Sequence, residues 1–306
     1  MQDVTGGGRG AIRSSLAVAA VLWIVGGPWS GVSAQSEAPA EADPVARGAY
    51  VMRAAGCFAC HTDLKNAGPP LAGGRALKTP FGTFFTPNIT PDREHGIGTW
   101  TDSDFIRALR AGVAPDGGHY FPAFPYTSYV GMTDRDILDL KAYLFAQPPV
   151  AQANRPHDID FPFGFRPLLG AWKALYFNKA AVPEPSRQDE AWNRGAYLVE
   201  HLGHCGECHT PRNMLGGLDR DRSMAGNPRG PDGDKVPNIT PHPEDGLGDW
   251  SASDLTWFLK TGFFPDGDFA GGAMTDVVEH STGHLTDADR AAMAAYLRAL
   301  PPLVGP

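Results

Sequence analysis

Two short runs constrain this chain more than anything else in it: Cys57-Phe58-Ala59-Cys60-His61 and Cys205-Gly206-Glu207-Cys208-His209. Two thiols three residues apart, followed at once by an imidazole, form the pattern by which a polypeptide takes up a c-type haem. The thiols form thioethers with the haem vinyl groups, and the histidine is held beneath the iron. The same cysteine spacing serves redox couples and zinc sites. A redox pair has no need of the histidine, and the two runs consume all 4 cysteines, which leaves none for a disulfide. The expectation is therefore two covalently bound haem c groups, attached at Cys57 and Cys60 and at Cys205 and Cys208, with His61 and His209 as iron ligands.

The runs belong to a longer repeat. Arg47-Gly48-Ala49-Tyr50 ahead of the first run returns as Arg194-Gly195-Ala196-Tyr197 ahead of the second, and Pro87-Asn88-Ile89-Thr90-Pro91 returns at residues 237–241. Gly96, Gly98, Trp100, Asp104 and Pro115-Asp116-Gly117 recur as Gly246, Gly248, Trp250, Asp254 and Pro265-Asp266-Gly267, all at an offset of 150. Self-similarity at one period marks a tandem duplication, one haem to each copy.

Each copy has the same plan. A helix over about residues 44–55, or 190–202, leads into the haem run. A Gly- and Pro-rich loop follows, Gly68-Pro69-Pro70-Leu71 in one copy and Pro211-Arg212-Asn213 in the other, and is expected to pass under the haem and offer a backbone carbonyl to Nδ1 of the histidine. A short helix starts at Thr101 or Ser251, each with an aspartate three positions on in a near capping box. The last helix starts at Thr133 or Thr286, buries Ile137, Leu140, Tyr143 and Leu144, or Ala292, Met293, Tyr296 and Leu297, at helical period, and is stopped by a Pro-Pro pair.

Ahead of the repeats lies a targeting segment, with Arg9 and Arg13 as its basic region, Leu16 to Val25 as its apolar region and Val32-Ser33-Ala34 as a small-residue cleavage site. An apolar run of about 10 residues is too short to span a bilayer. The expected product is an exported, periplasmic protein with at most peripheral membrane association. A net charge of −8 argues against a nucleic-acid partner and suits an electron carrier steered to basic patches.

Together the paired haem runs, the repeated Pro-Asn-Ile-Thr-Pro, the Gly-x-Gly-x-Trp and Pro122-Ala123-Phe124-Pro125-Tyr126 before a Thr-Asp-x-Asp helix resemble the cytochrome c subunit of bacterial membrane-bound alcohol, gluconate and aldehyde dehydrogenases. The resemblance covers nearly the whole chain after the targeting segment. It implies an all-α fold of two tandem class I cytochrome c domains, each wrapped around one haem. The organisation expected is a signal peptide at 1–34, a first haem domain at 35–150, an aromatic-rich connector at 151–188 and a second haem domain at 189–306. It also implies a function: electrons arrive from a dehydrogenase subunit and leave to another cytochrome, a quinone or an oxidase of the respiratory chain. Subunits of that family usually carry three haem domains, against two here.

The ligand on the far side of each iron decides what the haems do, since methionine suits electron transfer and an open position suits chemistry on a small molecule. In the second copy Met274, in the loop before the last helix, is the expected ligand. Met214 and Met224 follow the haem run too closely and are read as pocket or surface residues. The offset of 150 carries Met274 onto Phe124, where the resembled subunits have methionine, so the first haem needs another ligand. His119 in the same loop is the leading candidate, Met132 the alternative, and an open position the third. Met132 aligns with Leu285 just before a helix cap, a place where apolar residues pack as staples.

Phe161-Pro162-Phe163-Gly164-Phe165, Trp172, Tyr176 and Phe177 make the connector unlike a flexible linker, and a clamp between the two haem domains is expected. Trp100 and Trp250 are expected to pack near the haems. His201 and His204 are read as solvated or hydrogen-bonded, and the remaining histidines are assigned no role. Two function classes remain open: an exported dihaem electron-transfer protein serving a dehydrogenase, or a dihaem redox enzyme of the peroxidase or thiosulfate dehydrogenase type with its chemistry at the first haem. The residues favour the carrier over an enzyme acting alone.

Overall fold

The computed structural model describes residues 43–177 and 189–306. The expected signal peptide and the end of the connector, 178–188, lie outside the described residues. Each repeat is built on a pair of crossed helices. In the first, α1 (Pro44–Ala54) packs on α5 (Asp134–Phe145); in the second, α7 (Glu190–Ala196), continued by a π-helical turn Tyr197–Leu202, packs on α11 (Asp287–Arg298). Glycine makes both crossings close. A Cβ at Gly48 would stand 1.8 Å from the Asp139 carbonyl oxygen, and one at Gly195 2.0 Å from that of Ala292. Above the first crossing the Arg47 guanidinium grips the buried Asp139 carboxylate through Nε at 2.6 Å and Nη2 at 2.7 Å, a two-point bond of the stronger, charge-assisted kind.

Short helices α2 (Cys57–His61) and α8 (Gly206–His209) carry the haem runs. Between them and the last helices lie α3 (Asp102–Ala111) and α9 (Ala252–Thr261), each opened by a complete capping box. Thr101 Oγ1 and Ser251 Oγ accept from the N3 amide while Asp104 and Asp254 accept from the cap amide. Such caps contribute about 1 kcal/mol each, and they fix where the loop ends and the helix begins. Thr133 and Thr286 cap α5 and α11 through the hydroxyl alone, each accepting the N3 amide. The segment ahead of the last helix forms α4 (Tyr126–Tyr129) in the first repeat and α10 (Ala273–His280) in the second.

The all-α expectation needs one correction. Residues Ala76–Thr79 and Gly82–Phe85 form a hairpin, β1 and β2, which the connector extends with β3 (Asp158–Ile159) into a three-stranded antiparallel sheet, Thr83 facing Asp158. Gly82, at φ 116°, admits the third strand; a Cβ there would meet the Asp158 carbonyl oxygen at 2.4 Å. The connector then forms α6 (Leu168–Tyr176), buries Leu169 against Phe84 and Phe121 of the first repeat, and reaches the second, where Trp172 Nε1 donates to the Leu215 carbonyl at 2.8 Å.

The core does not stop at the repeat boundary. One buried cluster joins Val51, Met52, Ile137 and Leu140 to Leu198, Val199, Leu202 and Met293. The repeats also exchange a tyrosine. Tyr50 donates to Asp289 at 2.5 Å and accepts the Thr286 amide at 3.1 Å, so a first-repeat side chain completes the start of α11. Tyr197 does the same to the start of α5, donating to Asp136 at 2.5 Å and accepting the Thr133 amide at 3.1 Å. Among the described residues no helix is long and apolar enough to cross a membrane.

Candidate haem sites

One turn of helix carries the three groups of each run: Cys57, Cys60 and His61 on α2, and Cys205 and Cys208 with His209 at the start and end of α8. None of the four cysteines is in a disulfide. Burial pushes Cys57 and Cys205 up to about 12 and Cys208 to about 11, and it raises Cys60 as well, so these are thiols at neutral pH. A redox-active pair works instead through a thiolate of lowered pKa.

Both histidines are held identically. His61 Nδ1 lies 2.8 Å from the Pro87 carbonyl oxygen and His209 Nδ1 2.8 Å from that of Pro237. A carbonyl only accepts, so Nδ1 carries the proton and Nε2 keeps its lone pair, the tautomer required of an iron ligand. Burial keeps both rings neutral by lowering their pKa, against the opposing pull of the carbonyl bond. The acceptor thus corrects the expectation for the Gly- and Pro-rich loops: the carbonyl comes from the repeated Pro-Asn-Ile-Thr-Pro. Asn88 and Asn238 brace that segment, each accepting the amide and hydroxyl of the threonine two residues on and donating to the chain beyond the last helix, at Val150 or Leu303. In each run two thiols and an imidazole protonated on Nδ1 fit the attachment and ligation of a haem.

The runs lie against one another. A Cβ at Gly56, just ahead of the first run, would stand 3.8 Å from Nε2 of His204, just ahead of the second, and each run packs on the far-side segment of the opposite repeat. Over α2, His280 of α10 tilts against Phe58 at 5.3 Å, and Asp276 bonds Arg75 at 2.8 Å while Arg75 holds the Ala59 carbonyl at 2.6 Å. Over α8, Thr127 and Ser128 of α4 donate to Glu207 at 2.5 and 3.1 Å, and Arg212 pairs with the same carboxylate at 2.5 Å. Burial works to raise the Glu207 carboxyl; the Arg212 guanidinium and the Thr127 hydroxyl overcome it and hold the group ionised, below the usual glutamate range. The roles of Glu207, Arg75 and Arg212 carried no sequence signal, since none of the three has a matching residue in the other repeat's motif. Tyr50 and Tyr197 did carry a signal, since they end the Arg-Gly-Ala-Tyr repeat.

Met274 sits half-buried in the first turn of α10. Met224 is sorted from it by its neighbours: its amide donates to Thr210 Oγ1 at 3.0 Å and its carbonyl accepts the Ile239 amide, as Leu71 does with Thr62 and Ile89. Both hold positive φ, 62° and 60°. Met224 therefore occupies a leucine's place on the wall, and Met214 is 93% exposed.

Phe124 lies in an aromatic cluster, 5.6, 6.3 and 5.8 Å from the rings of Tyr120, Tyr126 and Tyr129. Met132 is buried in the core, in the place Leu285 takes ahead of α11. His119 is engaged by the connector. Lys173 of α6 lies 3.1 Å from its Nδ1 and also donates to the Ala111 and Gly112 carbonyls at 2.7 Å. An ammonium only donates, so Nδ1 accepts and the neutral ring carries its proton on Nε2, which faces Gly170. Trp100 stands edge-on to Phe105, and Trp250 is flanked by Phe258 and Phe264. His201 is buried between the repeats, Nδ1 2.9 Å from the Ser128 carbonyl, and His204 packs on Tyr129.

Residues 45–146 match the cytochrome c family. A dihaem c-type cytochrome of Cereibacter sphaeroides is 48% identical over 258 residues, 83% of this chain and 85% of that protein. The cytochrome subunit of fructose dehydrogenase from Gluconobacter japonicus is 41% identical over 295 residues, 94% of this chain. The cytochrome c subunit of gluconate 2-dehydrogenase from Pantoea cypripedii is 43% identical over 264 residues, 84% of this chain. The chain spans 59% of the length of each of these two dehydrogenase subunits.

Proposed function

The chain belongs to the cytochrome c family, and on that premise we propose that it is an exported, periplasmic dihaem electron carrier that accepts electrons from a dehydrogenase and passes them towards the respiratory chain. The observation that carries the reading is the reciprocal packing of the haem runs, each beneath the far-side segment of the other repeat. Two centres so placed form a relay, with one face of the molecule receiving and another delivering.

Cys57 and Cys60, and Cys205 and Cys208, would hold the haems, and His61 and His209 would offer Nε2 to the irons. Bound haem supplies reversible one-electron chemistry between ferric and ferrous iron. The protein's share is to fix the ligands and the surroundings. The Pro87 and Pro237 carbonyls set the imidazole tautomer and strengthen it as a donor. The ionised Glu207 places a negative charge beside the second run. Met274 gives the second iron its thioether.

Phe124 favours the alternative, a redox enzyme acting at the first haem, because phenylalanine offers iron no atom. A general acid or base near it is what that chemistry needs, and His119, the sequence candidate, is held by Lys173 instead. The test of the carrier is anaerobic mixing of the oxidised holoprotein with the catalytic subunit of a gluconate, fructose or alcohol dehydrogenase and its substrate. Reduction of both haems supports it. Haems that stay ferric until dithionite is added, with peroxide or thiosulfate turnover instead, overturn it.

A further inference from the structure

The two repeats differ most in what covers the loop after α3 and α9. In the first repeat this loop, residues 112–121, is covered by the chain's own connector. Lys173 caps the end of α3 through the Ala111 and Gly112 carbonyls, and Leu169 is buried against Phe121. Arg166 donates to the His119 carbonyl at 3.3 Å and lies over the Phe121 ring at 5.3 Å. The cover is the apolar helix α6, which carries Lys173, with Arg166 in the turn just ahead of it, set over a loop that carries Asp116.

The second repeat builds the same loop at residues 262–271, and among the described residues no connector helix lies over it. Val113 and His119 bridge across the first loop, and Phe263 and Phe269 bridge at the equivalent places across the second. Residues directly opposed on antiparallel strands put their side chains on one face. Here that face is aromatic and open, Phe263 47% and Phe269 66% exposed. Asp266 is kept and Gly118 is replaced by Asp268, so the rim carries two exposed carboxylates where the first repeat has one. Among the described residues no side chain is hydrogen-bonded to the Thr261 or Gly262 carbonyls, the counterparts of those that Lys173 caps.

We propose that the 262–271 loop, through Phe263, Phe269 and its acidic rim, docks a helical segment of the electron-donating dehydrogenase subunit that is apolar on one face, with one basic residue in the helix and another in the turn ahead of it. It seats there as the connector seats on the first repeat. The acidic rim selects the basic occupant, and the paired rings supply the desolvated centre that such an interface needs. The proposal rests on the donor being a dehydrogenase.

The test uses the full holoprotein and, as probe, the catalytic subunit of a gluconate, fructose or alcohol dehydrogenase freed of its own cytochrome subunit. The second-order rate of haem reduction is followed against salt. Phe263→Ser with Phe269→Ser should lower that rate about tenfold, the scale of a buried aromatic anchor. Both haem spectra and reduction by ascorbate or dithionite should stay as in the wild type. Asp266→Asn with Asp268→Asn keeps the turn's acceptor oxygens and should flatten the salt dependence. Rates unchanged in both variants overturn the docking surface and leave the carrier intact. A wild-type dimer that the serine variant dissociates would give the loop to a second copy of this chain and overturn the proposal too. Failure of all three probes to reduce the wild type overturns the donor reading, and the surface falls with it.

Discussion

Removing the hydroxyls of Tyr50 and Tyr197 should loosen the molecule at the joint between its repeats. Each hydroxyl makes one bond to a carboxylate of the opposite repeat at 2.5 Å and receives the amide of a helix cap at 3.1 Å. A hydrogen bond to a charged group contributes about 1.5–3 kcal/mol, and partial hydration of the carboxylates in the variant recovers some of it. Tyr→Phe keeps the ring and its packing, so each single change should cost about 1–2 kcal/mol. Arg194 bonds Asp289 and also lies over the Tyr197 ring at 5.8 Å, so the two sites share a neighbour and the double variant should depart from the sum of the singles. Guanidinium unfolding of the holoprotein, followed at once by far-ultraviolet dichroism and by Soret absorbance, reads it. The single variants should shift the midpoint at constant slope. In the double variant the probes should part into two transitions as the repeats unfold separately. Singles within about 0.3 kcal/mol of the wild type, or a double that still unfolds in one step, would refute the argument that the exchanged tyrosines couple the repeats.

Three further outcomes follow from the site. Met274→Ala should lower the potential of one haem and leave the other where it is, because a thioether favours ferrous iron; an unchanged redox titration would assign the ligand elsewhere. His119→Ala should leave the haem spectra unchanged and lower thermal stability, since its ring is spent on Lys173; a new high-spin haem in that variant would restore His119 as the first iron's ligand. Burial raises the Asp289 carboxyl, but its bonds from Arg194 and Tyr50 prevail and hold it below the ordinary aspartate range. A depressed folded-state pKa contributes stability that is present above about pH 4 and lost as pH falls through the folded value. Asp289→Asn should therefore flatten the acid limb of the stability profile, and equal slopes in both proteins would contradict the assignment.

What could be read from the residues was whatever is local in sequence. The haem runs, the capping boxes at Thr101 and Ser251 and the apolar period of α5 and α11 each fit within one or a few turns, and the duplication let each be read twice. The histidine's carbonyl was missed because it comes from a backbone atom 26 or 28 residues away, and any residue can supply one. The sheet was missed because its third strand is only Asp158–Ile159, lent by a segment whose aromatics gave no strand pattern. The Lys173 contact to His119 was out of reach as well, because the two residues are 54 apart in the chain. Glu207 is the plainest case: within its run it reads as a spacer, and only the folded chain brings Arg212, Thr127 and Ser128 to it.

The central claim is one covalent haem on each repeat. The intact mass of the processed chain, taken after acid-acetone extraction and paired with a pyridine haemochrome assay, measures it directly. The account predicts the polypeptide mass plus two haems, falling to one in Cys57→Ala with Cys60→Ala and likewise in Cys205→Ala with Cys208→Ala. A wild-type chain, matured in a competent host, that keeps one haem or none would contradict it.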